Sequence, residues 1–364
     1  MKRYTQYILY LVAIIFAACS SSPDGIEKPQ EPAAISFGAD IDQTRSTLIH
    51  NVGELAATTK PFRVFAAHTA TDVTTPGIDV TDVVLTDVFT NVDVKYDGRL
   101  TGWNYDGEPK MWESSGYYIF RGYWPSTTKL ASATTSTKSL VLEYSVKSDD
   151  DDLMVGYYAC RTRNPDSYDN VQYVGFRFYH VLSGVRIALK IGSNAKAKYR
   201  VKRAYFTSLI YTNSLAYTQT VNGPVDFSYW NAGAGVRSEN DEFGVDRIRE
   251  WNAVDASDGV VPPTIDDANP QYLYLPWQLM IPQSLLVSAT TPKPAVVIEI
   301  ETTLNGIIHS SEKSLTLPTP TGLDTWLPGK LYTYTIALQP NDFNITVQCV
   351  DWDVVDGVTP DLEF

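Results

Sequence analysis

The chain has 364 residues and carries 42 Asp and Glu against 29 Lys and Arg, a net charge of −13. That acidity repels a phosphate backbone and excludes general nucleic-acid binding, while 44% hydrophobic and 20% charged residues exclude a disordered chain. The 23 Tyr and 8 Trp favour strands and recognition surfaces, and 4 His leave little for metal or acid–base chemistry. At roughly 150 residues per domain the length suits two domains.

Lys2 and Arg3 precede an apolar run over residues 7–18. The run is too short for a membrane span, which needs about 20 residues, and suits the apolar region of a secretory signal. The junction Phe16-Ala17-Ala18-Cys19 resembles the lipobox of bacterial lipoproteins, in which small residues admit the signal peptidase and the Cys carries the lipid. Phe16 stands where Leu is usual, and the alternative is a plain signal peptide with a chance Cys. Ser20, not Asp, follows Cys19, which directs the expected lipoprotein to the outer membrane. Loss of residues 1–18 leaves 27 basic against 42 acidic residues, a balance of −15. Residues 19–34, with Ser20-Ser21-Ser22-Pro23-Asp24-Gly25 and two further prolines, read as a flexible tether.

Beyond the tether, alternation with a period of two dominates. Ile35, Phe37 and Ile41 predict a first strand with one buried face. Leu140, Leu142, Tyr144 and Val146 form a later one, as do Val185, Ile187, Leu189 and Ile191. Residues 296–301 place glutamates outward, and Tyr332, Tyr334, Ile336 and Leu338 repeat the pattern. Turn signals lie at Tyr96-Asp97-Gly98, Asn104-Tyr105-Asp106-Gly107, Asn222-Gly223-Pro224 and Asn305-Gly306, the last predicting a hairpin. Only Val245, Ile248 and Trp251 suggest a short helix, inside an irregular insertion over residues 222–270. The expected fold is all-β with little helix: two antiparallel β-sandwiches in tandem, residues 35–168 and 169–364, divided near Arg163-Asn164-Pro165-Asp166-Ser167.

Chemistry-bearing constellations are scarce. With Cys19 assigned to lipid, Cys160 and Cys349 read as two separate buried thiols, although export permits a disulfide. His50, His68, His180 and His309 are scattered. His180 lies near Ser183, but it shares a face with Val174, Phe176, Phe178 and Leu182 and reads as a structural histidine. Asp149-Asp150-Asp151-Asp152 reads as a solvated loop before it reads as a Ca²⁺ site, and no single carboxylate pair stands out for glycoside hydrolysis. No enzyme, metal or cofactor is expected. Trp103, Trp112, Trp124, Trp230, Trp251 and Trp277 support an alternative: if exposed, they stack on sugars and make a lipid-anchored glycan-binding protein, although most are expected in cores.

A series of landmarks then adds up. Ile35-Ser36-Phe37-Gly38-Ala39 precedes Thr44-Arg45-Ser46 and Pro61-Phe62-Arg63-Val64-Phe65-Ala66. Trp112, residues 117–125 and Asp152-Leu153-Met154-Val155-Gly156 follow. The second half has residues 176–185, Leu279-Met280-Ile281-Pro282-Gln283, residues 326–334 and Val350-Asp351-Trp352. In this order they resemble the fimbrillin-like (Mfa-like) lipoproteins of anaerobic Gram-negative gut and oral bacteria. The resemblance implies a pilin precursor of two transthyretin-like β-sandwiches. In that family an Arg-directed protease removes the lipidated N-terminal segment with its first strand. The groove left behind accepts a donor strand from another subunit, and a pilus for adhesion grows. Other members stay lipid-anchored at the base or contact host protein or glycan at the tip.

On that reading Ile35, Phe37 and Ile41 form the displaced strand, and their loss costs at most about 5–9 kcal/mol. Arg45, between Thr44 and Ser46, is the expected processing site, its alternative being an ordinary loop arginine. Arg63 is a rival, placed inside an alternating run and so expected in a strand. After Trp352 only residues 353–364 remain, with Pro360 among them, so either the donor is built from the last strands or the subunit receives but does not donate.

Overall fold

The computed structural model describes residues 34–41, 57, 60–75, 80, 82–97, 102–126, 132–135, 139–146, 152–162, 173–191, 198–218, 230, 235–237, 248–252, 264–265, 273–338 and 343–351. Nearly all of them are in or between strands. The first are β1 (Ser36–Ile41), β2 (Phe62–Thr69), β3 (Thr86–Asp97), β4 (Gly102–Tyr105) and β5 (Tyr117–Trp124). Next come β6 (Ser132–Thr135), β7 (Ser139–Ser145), β8 (Met154–Arg161), β9 (Tyr173–His180) and β10 (Ser183–Ile191). They are followed by β11 (Lys198–Thr207), β12 (Ile210–Thr218), β13 (Val236–Arg237), β14 (Ile248–Asn252), β15 (Thr264–Ile265) and β16 (Leu273–Tyr274). The last are β17 (Gln278–Met280), β18 (Ala295–Leu304), β19 (Ile307–Thr316), β20 (Lys330–Leu338) and β21 (Phe343–Asp351).

Strands β1, β4, β3, β2, β5, β8 and β9 close into a barrel in that order. Its interior is aromatic: Phe37, Phe62, Phe89, Trp103, Trp112, Tyr118, Phe120, Trp124, Phe176 and Phe178 are all buried. The central strands β2, β5 and β8 are largely buried on both faces, which explains why their sequences run on without clean alternation. Phe65, Ile119, Tyr123, Val155 and Tyr157 point away from the barrel and join a second, larger core. At Gly122 in β5 a Cβ would stand 2.8 Å from the Arg63 carbonyl oxygen, so close packing of β5 on β2 requires the glycine.

The second core is sandwich-like. One sheet runs β16–β10–β20–β21 with β17 also on β10, and another runs β14–β11–β18–β19 with β15 also on β11. Val185, Ile187, Leu189, Tyr332, Tyr334 and Ile336 of the first join Ala204, Phe206, Val296, Ile298 and Ile300 of the second. A third sheet, β13–β12–β7–β6, adds Leu142, Tyr144 and Leu215 to the same core. The β18–β19 hairpin turns at Asn305 (φ 52°) and Gly306 (φ 79°), with the two left-handed residues that a type I′ turn demands.

Three features differ from the sequence reading. Two neighbouring pairs, β1–β9 and β10–β20, are parallel, each joined by the long chain excursion that a parallel pair needs. Ile248 and Trp251 lie on strand β14, not on a helix. They face Phe206 and Ala204, so three residues of β14 span two of β11; a β-bulge produced the spacing that suggested a helical turn. Asp152 is buried instead of belonging to a solvated acidic loop. Residues 149–151, His50, the segment 163–168 and most of the 222–270 insertion lie outside the described residues.

Strand pairing also crosses the expected division at residue 168 in both directions. β9, after it, completes the barrel against β8 and β1. β7, before it, pairs over seven residues with β12.

Candidate functional site

The first strand occupies a distinctive seam. On one side β1 pairs with β9 over its full length, from Ser36 opposite Tyr173 to Ile41 opposite Phe178. On the other side it meets β4 only where Phe37 faces Trp103. Just before β1, Ala34 bridges Met111, and the Ile35 amide donates to the Lys110 carbonyl at 2.7 Å. The strand closing the barrel is thus held by one long ladder and one narrow contact, and it is the first described strand of the chain.

Its side chains carry much of the attachment. Ile35 is 2% exposed and Phe37 5%. The Phe37 ring meets Phe62, Phe89, Tyr105 and Phe120 edge-on at centroid distances of 5.4–6.2 Å and stacks on Phe176 at 6.3 Å. One side chain therefore plugs a socket built by β2, β3, β4, β5 and β9. Without β1 this socket opens, and β4 and β9 present unpaired backbone groups to each other across the gap.

The other expected site residues fall as follows. The Ile41 backbone belongs to β1, while Cys19 and Arg45 lie outside the described residues. Arg63 sits in β2 with a strand on each side; its guanidinium meets Asp93 at 2.6 Å and donates to Asn91 Oδ1 at 2.7 Å. A protease needs an extended, accessible loop, which this position does not offer. The partner wall of the socket, Phe89, Trp103 and Tyr105, was not singled out as a group from sequence. Its signal was present in the alternation of Gly102-Trp103-Asn104-Tyr105, hidden by the turn signature that overlaps it at Asn104-Tyr105-Asp106-Gly107.

Several landmark residues of the second half are structural staples. Gln283 is 1% exposed and acts as a substitute peptide: its Oε1 accepts from the Ile210 amide at 2.7 Å, and its Nε2 donates to the Ile210 carbonyl at 3.1 Å. Its own backbone exchanges two hydrogen bonds with Trp326. Trp326 Nε1 donates to the Tyr334 hydroxyl at 2.9 Å, and the Tyr332 hydroxyl accepts from the Leu327 amide and donates to the Thr325 carbonyl. Burial pushes both tyrosine pKa values up. Ser183 Oγ donates to the Leu327 carbonyl at 2.8 Å, and His180 Nδ1 lies 2.5 Å from Asp152 Oδ2 with both side chains buried. His180 and Ser183 therefore face different partners and form no nucleophile–base pair.

Trp103, Trp112, Trp124 and Trp230 are buried, which removes them as a sugar-stacking platform; Trp277 is half-buried, and the Trp251 side chain lies outside the described residues. Cys160 and Cys349 are free thiols, Cys160 buried and Cys349 half-buried against the larger core. Among the described residues no cluster of His, Cys, Asp or Glu could hold a metal, and no helix is long and apolar enough to cross a membrane.

A family model described as fimbrillin-like matches residues 44–352. Among solved structures, the chain is similar to a fimbrial protein from Bacteroides vulgatus, at 15% identity and a TM-score of 0.55, covering 87% of this chain and 99% of that one. That likeness is one of fold. The chain is also similar to a fimbrial assembly protein from Parabacteroides distasonis, at 9% identity and a TM-score of 0.35, covering 87% of this chain and 96% of that one. Comparison with curated proteins returns no match.

Proposed function

Since the chain belongs to the fimbrillin-like family, we propose that it is a pilus subunit that is exported as a lipoprotein and assembles by strand exchange at the β1 seam. In this reading Cys19 carries the lipid that holds the precursor on the outer membrane, and residues 19–34 tether it. Cleavage at Arg45 frees the segment containing Ile35, Phe37 and Ile41, and the groove takes a strand from another subunit. The product serves adhesion at the cell surface. Two sandwich units, residues 35–168 and 169–364, exchange β9 and β6–β7 across their boundary.

The supporting observation is the asymmetry of β1. A strand paired fully on one side and at one residue on the other, with its aromatic plug in a preformed socket, can leave without unthreading the barrel. The vacancy it leaves has the two properties an incoming strand needs, a free backbone edge and a deep apolar pocket. The tryptophan platform on which the lipid-anchored glycan-binding alternative rests is lost, because four of its tryptophans are internal.

The test fastens β1 in place. Gly38 and Gly175 are direct partners across the β1–β9 ladder, so Gly38→Cys/Gly175→Cys supplies a disulfide at that contact. Treatment with an Arg-specific protease is expected to convert the unmodified protein into a denaturation-resistant ladder on a gel. The stapled variant should give no ladder until a reductant is added. A ladder of equal strength from the oxidised variant refutes strand exchange at this seam.

A further inference from the structure

Arg186 stands apart from the paired arginines of the described residues. It lies on β10 between the residues that pair with β17 (Ser183 to Val185) and those that pair with β16 (Ala188 and Leu189). Residues 275–277 carry the chain across this interruption, and only the Leu275 amide is tied down, donating to the Ile187 carbonyl at 2.9 Å. The guanidinium sits 4.3 Å from the ring centroid of Tyr274 and 4.3 Å from that of Trp277. Its Nε donates to Thr333 Oγ1 at 3.1 Å, on the neighbouring strand β20. Two ring contacts and one hydrogen bond fix the guanidinium in place.

No carboxylate meets it among the described residues. Arg63, Arg200 and Arg203 show the ordinary alternative: each is paired, with Asp93, with Glu301, and with Glu299 and Glu312 respectively. In a chain with such an excess of acid, a preorganised arginine that meets no carboxylate among the described residues is a deviation that points to a ligand. Burial lowers its pKa, the shift expected when a cation is desolvated without a compensating anion, and the nearby Tyr274 offsets that only in part. Arg186 also borders a narrow crevice with Leu275, Pro276 and Gln278 that leads inward to the buried Ile187, Ala204 and Phe206, at the point where the edge ladder is broken.

The geometry points to a binding site for an acidic sugar, with the carboxylate on the two Nη groups of Arg186, which Tyr274 and Trp277 hold in place, and the sugar ring against the exposed Pro276. A guanidinium whose Nε is already engaged offers its remaining donors to one planar carboxylate. The exposed Pro276 ring suits the apolar face of a pyranose, and the Gln278 amide can meet a hydroxyl. An extended polyanion or an anionic membrane fits poorly, because the surrounding chain is acidic and one cation does not offset it. The inference does not depend on strand exchange at β1.

Calorimetric titration of the mature chain, residues 19–364, with glucuronate, galacturonate and N-acetylneuraminate tests it, with glucose and acetate as controls. At least one acidic sugar is expected to bind with a dissociation constant on the order of 1 mM, a value in keeping with its size. Glucose, which lacks the carboxylate, and acetate, which lacks the ring, should each bind at least about tenfold more weakly. Arg186→Lys should weaken the acidic sugar by about tenfold, because an ammonium cannot reproduce the fork. Thr333→Val, which keeps the guanidinium and both rings, should weaken it by less. Absence of binding by all three acidic sugars refutes the site, as does equal binding of glucose or acetate. If Arg186→Lys unfolds the chain, unchanged binding in both Thr333→Val and Trp277→Ala refutes it as well.

Discussion

Phe37 shows at the scale of one side chain how the first strand is held in the barrel. Five aromatic rings surround it, contributed by five strands that are distant in sequence, and no polar atom is needed to position it. Truncation leaves a cavity in a socket that the surrounding strands cannot easily collapse. Phe37→Ala is therefore expected to destabilise the precursor by about 3–5 kcal/mol in urea unfolding, well above the cost of a surface change. A loss below about 1 kcal/mol contradicts the plug. A second residue-scale expectation concerns alkali. Burial pushes the Cys160 thiol from an ordinary 9.0 up to about 12, and raises Tyr118, Tyr123, Tyr157, Tyr332 and Tyr334 above their ordinary 10.0. The folded chain thus keeps protons that the unfolded chain releases. The stability these groups contribute is complete below pH 9 and is lost as pH rises toward 12, each group adding at most about 1.4 kcal/mol per pH unit. Thermal unfolding followed from pH 7 to pH 11 should show a fall that begins near pH 9 and steepens. A flat profile argues against the burial of these groups.

At the scale of the element, β1 behaves as a removable part only if its absence is repaired by the strand itself. A chain beginning at residue 46 lacks Ile35 and Phe37, whose burial is worth about 3–6 kcal/mol, and exposes the edges of β4 and β9. It should unfold at a lower temperature than the precursor and form oligomers on standing. A synthetic peptide of residues 34–43 should restore the melting temperature and suppress oligomers, whereas the same peptide with Phe37→Ala should do neither. Failure of the wild-type peptide removes β1 as the displaced element. How much of this was legible in the sequence varies with the kind of contact. Strands with one wet face, such as β20 with Tyr332, Tyr334, Ile336 and Leu338 inward, announce themselves by alternation. The turn at Asn305 and Gly306 is equally plain, because few residue pairs adopt two left-handed conformations. The first strand was visible for the same reason. What escaped was relational: the bulge that disguised β14, the parallel partner of β1, and the wall of Phe89, Trp103 and Tyr105. Each depends on which distant strand lies alongside, and local periodicity holds no record of that.

For the whole molecule, the larger core is the fact that governs cooperativity. Phe65, Ile119 and Tyr157 from the outer face of the barrel belong to the same buried cluster as Ile187, Phe206 and Ile336 of the sandwich. Strand exchange adds to this. β9 follows the proposed division at residue 168 yet forms the long ladder that holds β1, and β7 precedes it yet pairs with β12. The barrel therefore cannot be completed by residues 35–168, and the sheet β13–β12–β7–β6 cannot be completed by residues 169–364. This makes the proposed assembly groove sensitive to the second half of the chain, since one of its two walls is β9. Expressed separately, the fragments 35–168 and 169–364 should each lack the dispersed amide signals of a packed β-protein. Mixed during refolding, they should recover them in a single complex, because every missing strand pair is then available. A dispersed spectrum from fragment 35–168 alone shows that the barrel closes without β9, and with it falls the idea that the second half builds one wall of the assembly groove.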